Sequence, residues 1–336
     1  MSDKILLGHG SGGTMTRKLI ENLIVKTLGN PTLNKLTDAA TLNLPSGRLA
    51  MTTDSFVVTP PVFPGGDIGK LAVYGTINDL VMVGTKPFYL SLAFILEEGI
   101  ELELFRRIVD SIAEAAENVG VEIVTGDTKV VEKGKGDQIY INTTGIGIIP
   151  DGIEMSPERI QVGDKVILSG TMGDHGITIL ACRKGLEMKT DLKSDCAPLH
   201  RLVNAMLDVE PKIRVMRDPT RGGVASVLNE IAEQAGVEIK VEESRVPILP
   251  QVQGMCDLLG LDPFHVANEG KLIAVVPAES AEEVLSAMRA LPEGKDAAII
   301  GEVVAKTEYP EVFVETEIGT TRILEMLAGD QLPRIC

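Results

Sequence analysis

Ile68-Gly-Lys-Leu-Ala-Val-Tyr-Gly-Thr-Ile-Asn78-Asp79-Leu80-Val-Met-Val83 is the stretch on which the fold turns. Ile68, Leu71, Ala72, Ile77 and Leu80 recur at helical spacing, which predicts a helix with a buried face. Asn78 and Asp79 lie in its middle. A carboxylate in such apolar surroundings needs a partner or a metal, because an unpaired charge there is very costly. Leu49-Ala-Met-Thr-Thr-Asp54, upstream, reads as a strand ending in an acid, and Leu90 to Leu96, downstream, as a continuous apolar strand. Glu101 to Val119 then places Phe105, Ile108, Ile112, Ala116 and Val119 on one helical face, and Gly120 ends it as a left-handed cap. Strands at Val121–Thr125 and Ile139–Ile149 complete an α/β domain over residues 37–150.

A glycine-rich segment, 1–36, precedes this domain, and a turn-rich linker, 151–163, follows it. Residues 164–330 repeat the mixture. Strands are expected at Lys165–Ser169, Val237–Val241, Leu272–Val276 and Ala298–Val304, and an amphipathic helix runs through Val224, Val227, Leu228, Ile231 and Ala235 to Gly236. Ser280 and Glu283 predict a capping box at the head of a helix reaching Leu291. Thr321 to Ala328 reads as a last helical run. Pro333 blocks its continuation, which leaves 331–336 as a mobile arm ending in the thiol of Cys336. The fold class is α/β (α+β), in two domains.

Composition narrows the function. The 336 residues are 44% hydrophobic, enough for real cores, and the formal charge of −16 comes without any basic block. Nucleic acid and anionic membrane are thereby disfavoured as main partners. Nucleotide remains open, since Mg²⁺ offsets repulsion between carboxylate and phosphate. Cys182, Cys196, Cys256 and Cys336 form no CxxC pair, so neither a zinc site nor a redox motif is indicated. No apolar signal region opens the chain, and a reducing, cytoplasmic compartment is expected.

The recurrent chemical feature is an acid at a strand end or loop start, as at Asp38, Asp54, Asp127 and Asp218, with Asp79 inside the helix. A single loop Asp is usually a turn former. Several spread carboxylates suit Mg²⁺ shared with phosphate, because Mg²⁺ takes one or two carboxylates and completes its shell with water and phosphate. Gly8-His9-Gly10-Ser-Gly12-Gly13 precedes a helical pattern, where backbone N–H groups can approach phosphate, although it is neither a Walker motif nor a dinucleotide fingerprint.

Thr52-Thr-Asp54-Ser, Gly75-Thr-Ile-Asn78-Asp79-Leu80 with Gly84 and Lys86-Pro87, Asp218-Pro-Thr-Arg-Gly-Gly223 and Asn268-Glu269-Gly270 together resemble the aminoimidazole ribonucleotide synthetase-like ATP-binding superfamily. Within it, the glycine segment, Thr125-Gly-Asp127-Thr-Lys129-Val and the terminal Pro333-Arg-Ile-Cys336 are similar to the hydrogenase-maturation carbamoyl dehydratase (HypE) family. That resemblance implies a two-domain fold whose N-terminal sheet pairs across a homodimer. It implies a carbamoyltransferase, HypF, that loads the Cys336 thiol. ATP-dependent dehydration then yields a thiocyanate, whose cyanide passes to iron on a HypC–HypD scaffold.

The expected roles follow from the same likeness. Mg²⁺ falls to Asp38, Asp54, Asp79, Asp127 and Asp218. ATP falls to Gly8, His9, Gly10, Gly12, Gly13, Asn78, Asp127, Thr128 and Arg221. Lys129 supplies positive charge to the phosphoryl transfer, Glu269 is the base, and Cys336 carries the reacting group. Two other readings stand beside this one. A selenophosphate synthetase would carry a Cys or selenocysteine and a nearby Lys in the glycine loop, and this loop has neither. A scaffold binding partners through its tail would not need Asp54, Asp79 and Asp218 intact.

Overall fold

The computed structural model describes residues 3–183, 191–327 and 329. Cys336 and the predicted arm lie outside the described residues. In the N-terminal half a helical run is built from α1 (Thr14–Leu19), a π-turn at Ile20–Ile24 and α2 (Val25–Leu28). It precedes β1 (Arg48–Phe56), the two-residue strands β2 (Val62–Phe63) and β3 (Gly66–Asp67), and α3 (Ile68–Met82). Next come β4 (Lys86–Glu97), α4 (Leu102–Val119), β5 (Glu122–Val131) and β6 (Ile139–Ile149).

The main sheet runs β1-β6-β4-β5, parallel between β4 and β5 and antiparallel elsewhere. Side chains of a strand alternate between faces. Leu90, Leu92, Phe94 and Leu96 of β4 are buried on the inner face, where α3 and α4 pack. On the outer face Leu49, Met51 and Ile95 are exposed. The helix α3 is apolar on nearly every side, as befits a central buried helix. Its N-cap is Asp67, which accepts from the N–H groups of Gly69 and Lys70. Gly120 ends α4 at φ 80°, as the sequence predicts.

Residues 151–163 are docked: Ile160 is 1% exposed, and the Ser156 N–H donates to the Arg214 carbonyl. The second half carries β7 (Lys165–Leu168), α5 (Asp174–Arg183), α6 (His200–Val209), β8 (Val215–Arg217), α7 (Gly223–Ala235) and β9 (Val237–Glu242). It closes with α8 (Pro250–Leu259), β10 (Ile273–Val276), α9 (Ala281–Arg289), β11 (Ala298–Lys306), β12 (Glu311–Glu315) and β13 (Thr321–Ile323). The sheet order is β13-β12-β9-β11-β7-β10-β8. One face packs on α7, and the other packs on α6 and α9. That second core is continuous with the residues around α3, so one apolar cluster joins Ile77 to Leu199, Leu202 and Val276.

Two sequence expectations are corrected. Thr321 to Ala328 is not a helix at its start, because Thr321–Ile323 pairs with β12 as an edge strand. Tertiary pairing overrides the local apolar spacing. Ser280 does precede α9, but no capping box forms, because its hydroxyl donates to the Pro277 carbonyl instead.

Candidate active site

Asp54, Asp79, Asp218, Arg221 and Glu269 line one cleft with Thr220. Four separate elements deliver them: the end of β1, the last turn of α3, the loop after β8 and the loop before β10. Hydroxyls fix the first two acids. Thr52 Oγ1 donates to Asp79 Oδ2 at 2.7 Å, and Thr76 Oγ1 donates to Asp54 Oδ2 at 3.0 Å. The Thr52-Thr-Asp54 motif thus supplies both an acid and a clamp for its neighbour.

Electrostatics in the cleft are unfavourable to bare carboxylates. Burial, and then the charge of Asp54, push Asp79 up to about 6. Burial and Asp79 push Asp218 up to about 7. Glu269, 4% exposed, is raised well above the usual carboxylate range by burial and by Asp195, Asp218 and Asp54, against a lowering by Arg221. A divalent cation would relieve this crowding. Among the described residues, no three His, Cys, Asp or Glu side chains converge to hold a metal ion by themselves. The donor set itself, all carboxylate oxygen from separate elements, would suit Mg²⁺, which takes one or two carboxylates and keeps water and phosphate oxygens in its shell.

Each residue of the Asn268-Glu269-Gly270 motif has a separate task. Asn268 Oδ1 accepts from the Gly173 N–H at 2.8 Å, and its amide donates to the Pro219 carbonyl at 2.9 Å, which ties down the Asp218 loop. Glu269 Oε1 is buried with no hydrogen-bond partner. A Cβ at Gly270 would lie 1.9 Å from the Asp195 carbonyl oxygen, so only glycine lets these two backbones meet.

Asn78, expected at the nucleotide, is 1% exposed and clamps backbone instead. Its amide donates to the Ala197 carbonyl at 3.0 Å, and its Oδ1 accepts from the Leu199 N–H at 2.8 Å. Asp38 is exposed in a loop before β1, and it does not line this cleft.

The other predicted residues gather elsewhere. Gly10, Gly12, Asp127, Thr128 and Lys129 line a groove of about 210 Å³ at the edge strand β5. Lys129 Nζ pairs with Asp127 at 3.2 Å, with the two side chains 63% and 59% exposed. Register decides the geometry. Asp127 and Lys129 lie opposite Ala93 and Ile95, which belong to the outer face, whereas Asp54 bonds to α3 on the inner face. One sheet therefore separates Lys129 from the carboxylate cleft.

The glycine segment is locally ordered. His9 Nδ1 accepts from the Leu6 N–H at 3.0 Å, and Thr16 Oγ1 accepts from the Gly12 N–H at 2.9 Å and donates to the Gly8 carbonyl. Gly12 sits at φ 79°, and Gly13 caps α1. A Cβ at Gly10 would meet the Val130 nitrogen at 2.5 Å, so packing on β5 already requires that glycine. His175 is fully buried, its ring edge-on to Phe63 and its Nδ1 2.8 Å from Ser194 Oγ. Cys182, Cys196 and Cys256 are free thiols.

Both halves of this architecture belong to a defined class. Residues 36–149 match the AIR synthase related protein N-terminal domain, and residues 161–312 match its C-terminal domain. The chain is 53% identical to the carbamoyl dehydratase HypE of Azotobacter vinelandii, over 98% of this chain and 96% of that one. The solved structure of the hydrogenase maturation protein HypE in complex with ATP superposes with a TM-score of 0.93 at 49% identity, covering 98% of this chain and 99% of that one. HypE in a HypE–HypF complex gives a TM-score of 0.80 at 47% identity, over 92% and 99% of the two chains. The chain belongs to the carbamoyl dehydratase HypE family.

Proposed function

We propose that this chain dehydrates a carbamoyl group carried on Cys336, at the expense of ATP, as a step in hydrogenase maturation. The carrying observation is the convergence of Asp54, Asp79, Asp218, Arg221 and Glu269 in one cleft of a chain of this family. The reaction begins with Cys336–S–C(=O)–NH₂. Its carbonyl oxygen attacks the γ-phosphorus of ATP, ADP leaves, and one N–H proton is lost. The remaining N–H proton is then removed as the C–O bond breaks. Phosphate departs with the oxygen, leaving Cys336–S–C≡N.

Asp54, Asp79 and Asp218 would hold Mg²⁺, which when bound neutralises charge on the phosphates. Arg221 orients the same anions. Glu269 removes the nitrogen protons. Burial raises its proton affinity, in the direction that makes a carboxylate a stronger base. Asn268 and the glycine after Glu269 keep that carboxyl in the cleft.

Lys129, Asp127, Thr128 and the glycine segment would supply phosphate contacts from a second copy of the chain. The outer face of the N-terminal sheet exposes Leu49 and Met51 at 57% and 68%, an apolar surface suited to a homodimer. Pairing through it about a two-fold axis would set the β5 edge of one protomer, which carries Lys129, beside the β1 edge of the other, which carries Asp54. HypF would be the carbamoyl donor and HypC–HypD the acceptor of cyanide, in the cytoplasm. Among the described residues, no helix is long and apolar enough to cross a membrane.

Intact-mass analysis of the C-terminal peptide tests the reading directly. Incubation with the carbamoyltransferase, carbamoyl phosphate and ATP should convert a carbamoyl adduct on Cys336 into a cyano adduct. Cys336→Ala should carry neither, and cyanide transfer by that variant would overturn the reading.

A further inference from the structure

We infer that Asp195 is a positioning residue for the base: it anchors the main chain of Glu269 and so fixes where that carboxyl enters the cleft. The inference rests on the role proposed for Glu269. In the sequence Asp195 belongs only to a polar run, and nothing about its spacing marks it.

In the structure its side chain is 1% exposed, and its Oδ1 accepts the Glu269 N–H at 3.1 Å. Lys271 Nζ lies 3.6 Å from Asp195 Oδ2, its side chain 12% exposed, so the anchor carboxylate is itself held by a half-buried cation two residues beyond the base. The Asp195 and Ala197 backbones press against Gly270 too closely for any side chain there. From the other side, Asn78 of α3 donates to the carbonyls of both Ala197 and Glu269, at 3.0 and 3.4 Å.

The base is therefore gripped at both ends of its peptide unit. Asp195 takes its N–H and Asn78 takes its C=O, while Glu269 Oε1 makes no hydrogen bond. An acid so held cannot wander, and the near-attack geometry of a proton transfer depends on such restraint. The same anchor has a cost. A charged buried acceptor is used where a neutral one would satisfy the same N–H, and Lys271 offsets that charge. A neutral side chain of the same shape should therefore preserve the anchor, whereas truncation should lose it.

The experiment uses full-length chain, carbamoylated by its transferase partner, and follows single-turnover formation of the thiocyanate by intact mass as ATP is varied. Asp195→Ala should lower the rate at saturating ATP by roughly 10- to 100-fold, while the half-saturating ATP concentration stays within about 2-fold. Asp195→Asn keeps an acceptor oxygen for the Glu269 N–H and should recover the rate to within about 3-fold of the parent. Equal losses in the Ala and Asn variants, or a loss confined to ATP affinity, would overturn the inference. Glu269→Gln, run in parallel, separates the two ideas. If it dehydrates normally the reading of Glu269 fails, whereas if it is inactive and Asp195→Ala is not, only the anchoring fails. Melting curves exclude unfolding of Asp195→Ala, and if that variant does not fold, Asn78→Ala carries the same expectation of a rate loss without a change in ATP half-saturation.

Discussion

The two faces of the N-terminal sheet carry the two groups of candidate site residues, and they are built on opposite principles. On the inner face, Asp54 and Asp79 are half-buried, each held by a threonine hydroxyl, and stand beside Asp218 and a buried Glu269. On the outer face, Asp127 and Lys129 form an ion pair, Asp127 also accepts from the Thr128 N–H, and both side chains are more than half exposed. The inner half stores its electrostatic tension before any ligand arrives. The outer half has little order to lose and is worth little as an ion pair in water. A site that must bind a nucleotide and then release its products benefits from one rigid wall and one adaptable wall.

Substitutions can break that contrast, and the largest effect is expected where charge is most confined. Glu269→Gln should slow thiocyanate formation by roughly 10²- to 10⁴-fold, the usual contribution of a positioned base. Lys129→Ala should also accumulate the carbamoyl adduct. Mixing the two inactive variants should restore about a quarter of the sites, if each site takes Lys129 from one protomer and Glu269 from the other. No recovery on mixing would place both residues in the same subunit's site.

Asp54→Asn, Asp79→Asn and Asp218→Asn come next. Each should raise the ATP concentration at half-saturation by roughly 10-fold or more, through one lost charge-assisted ligand, and leave carbamoylation of Cys336 intact. Titration calorimetry with Mg²⁺ and a non-hydrolysable ATP analogue would show this, and unchanged binding in all three would remove the metal assignment. Met51→Glu probes the outer face. It should turn a dimer into a monomer in sedimentation, with the fold intact by circular dichroism.

The smallest effect concerns stability alone. Asp174, 5% exposed, is pushed up to about 6 by burial first and then by Asp195. Its folded affinity for a proton exceeds that of the unfolded chain, so its contribution to stability is fullest below about pH 4 and declines as the pH rises toward about 6. Asp174→Asn should remove that decline. It should be more stable than the parent at about pH 7 by up to roughly 3 kcal/mol, the free-energy equivalent of a carboxyl that titrates near 6 folded and near 4 unfolded. At about pH 4, where the parent's carboxyl is already protonated in the fold, the two melting temperatures should coincide.

The sequence made the inner half far more legible than the outer. Leu90–Leu96, Ile139–Ile149 and the helix around Asn78 declare themselves through apolar runs that only a buried element tolerates. Local patterning could not see α8, whose short run contains Gly254, or the pairing of Phe313 with Ile323 that makes β13 a strand. The acids of the cleft were legible as a family pattern, because each stands in a short fixed motif. The sheet face of Lys129 was not, since it depends on side-chain parity and on a register shift between Leu90 and Ser91. Asp195 was invisible for another reason: its partners, Glu269 and Lys271, are more than seventy positions away.

The Asn78 clamp has a consequence for how the molecule melts. Its amide holds the Ala197–Leu199 backbone of the second half, and the apolar cluster around α3 runs unbroken into α6 and β10. Neither half owns that core outright. Withdrawing one half would open a buried apolar surface and orphan the Asn78 amide together, so the boundary near residue 150 divides the chain in sequence but not in thermodynamics. The two halves should lose structure in one cooperative transition, with the cleft between them among the last features to dissolve.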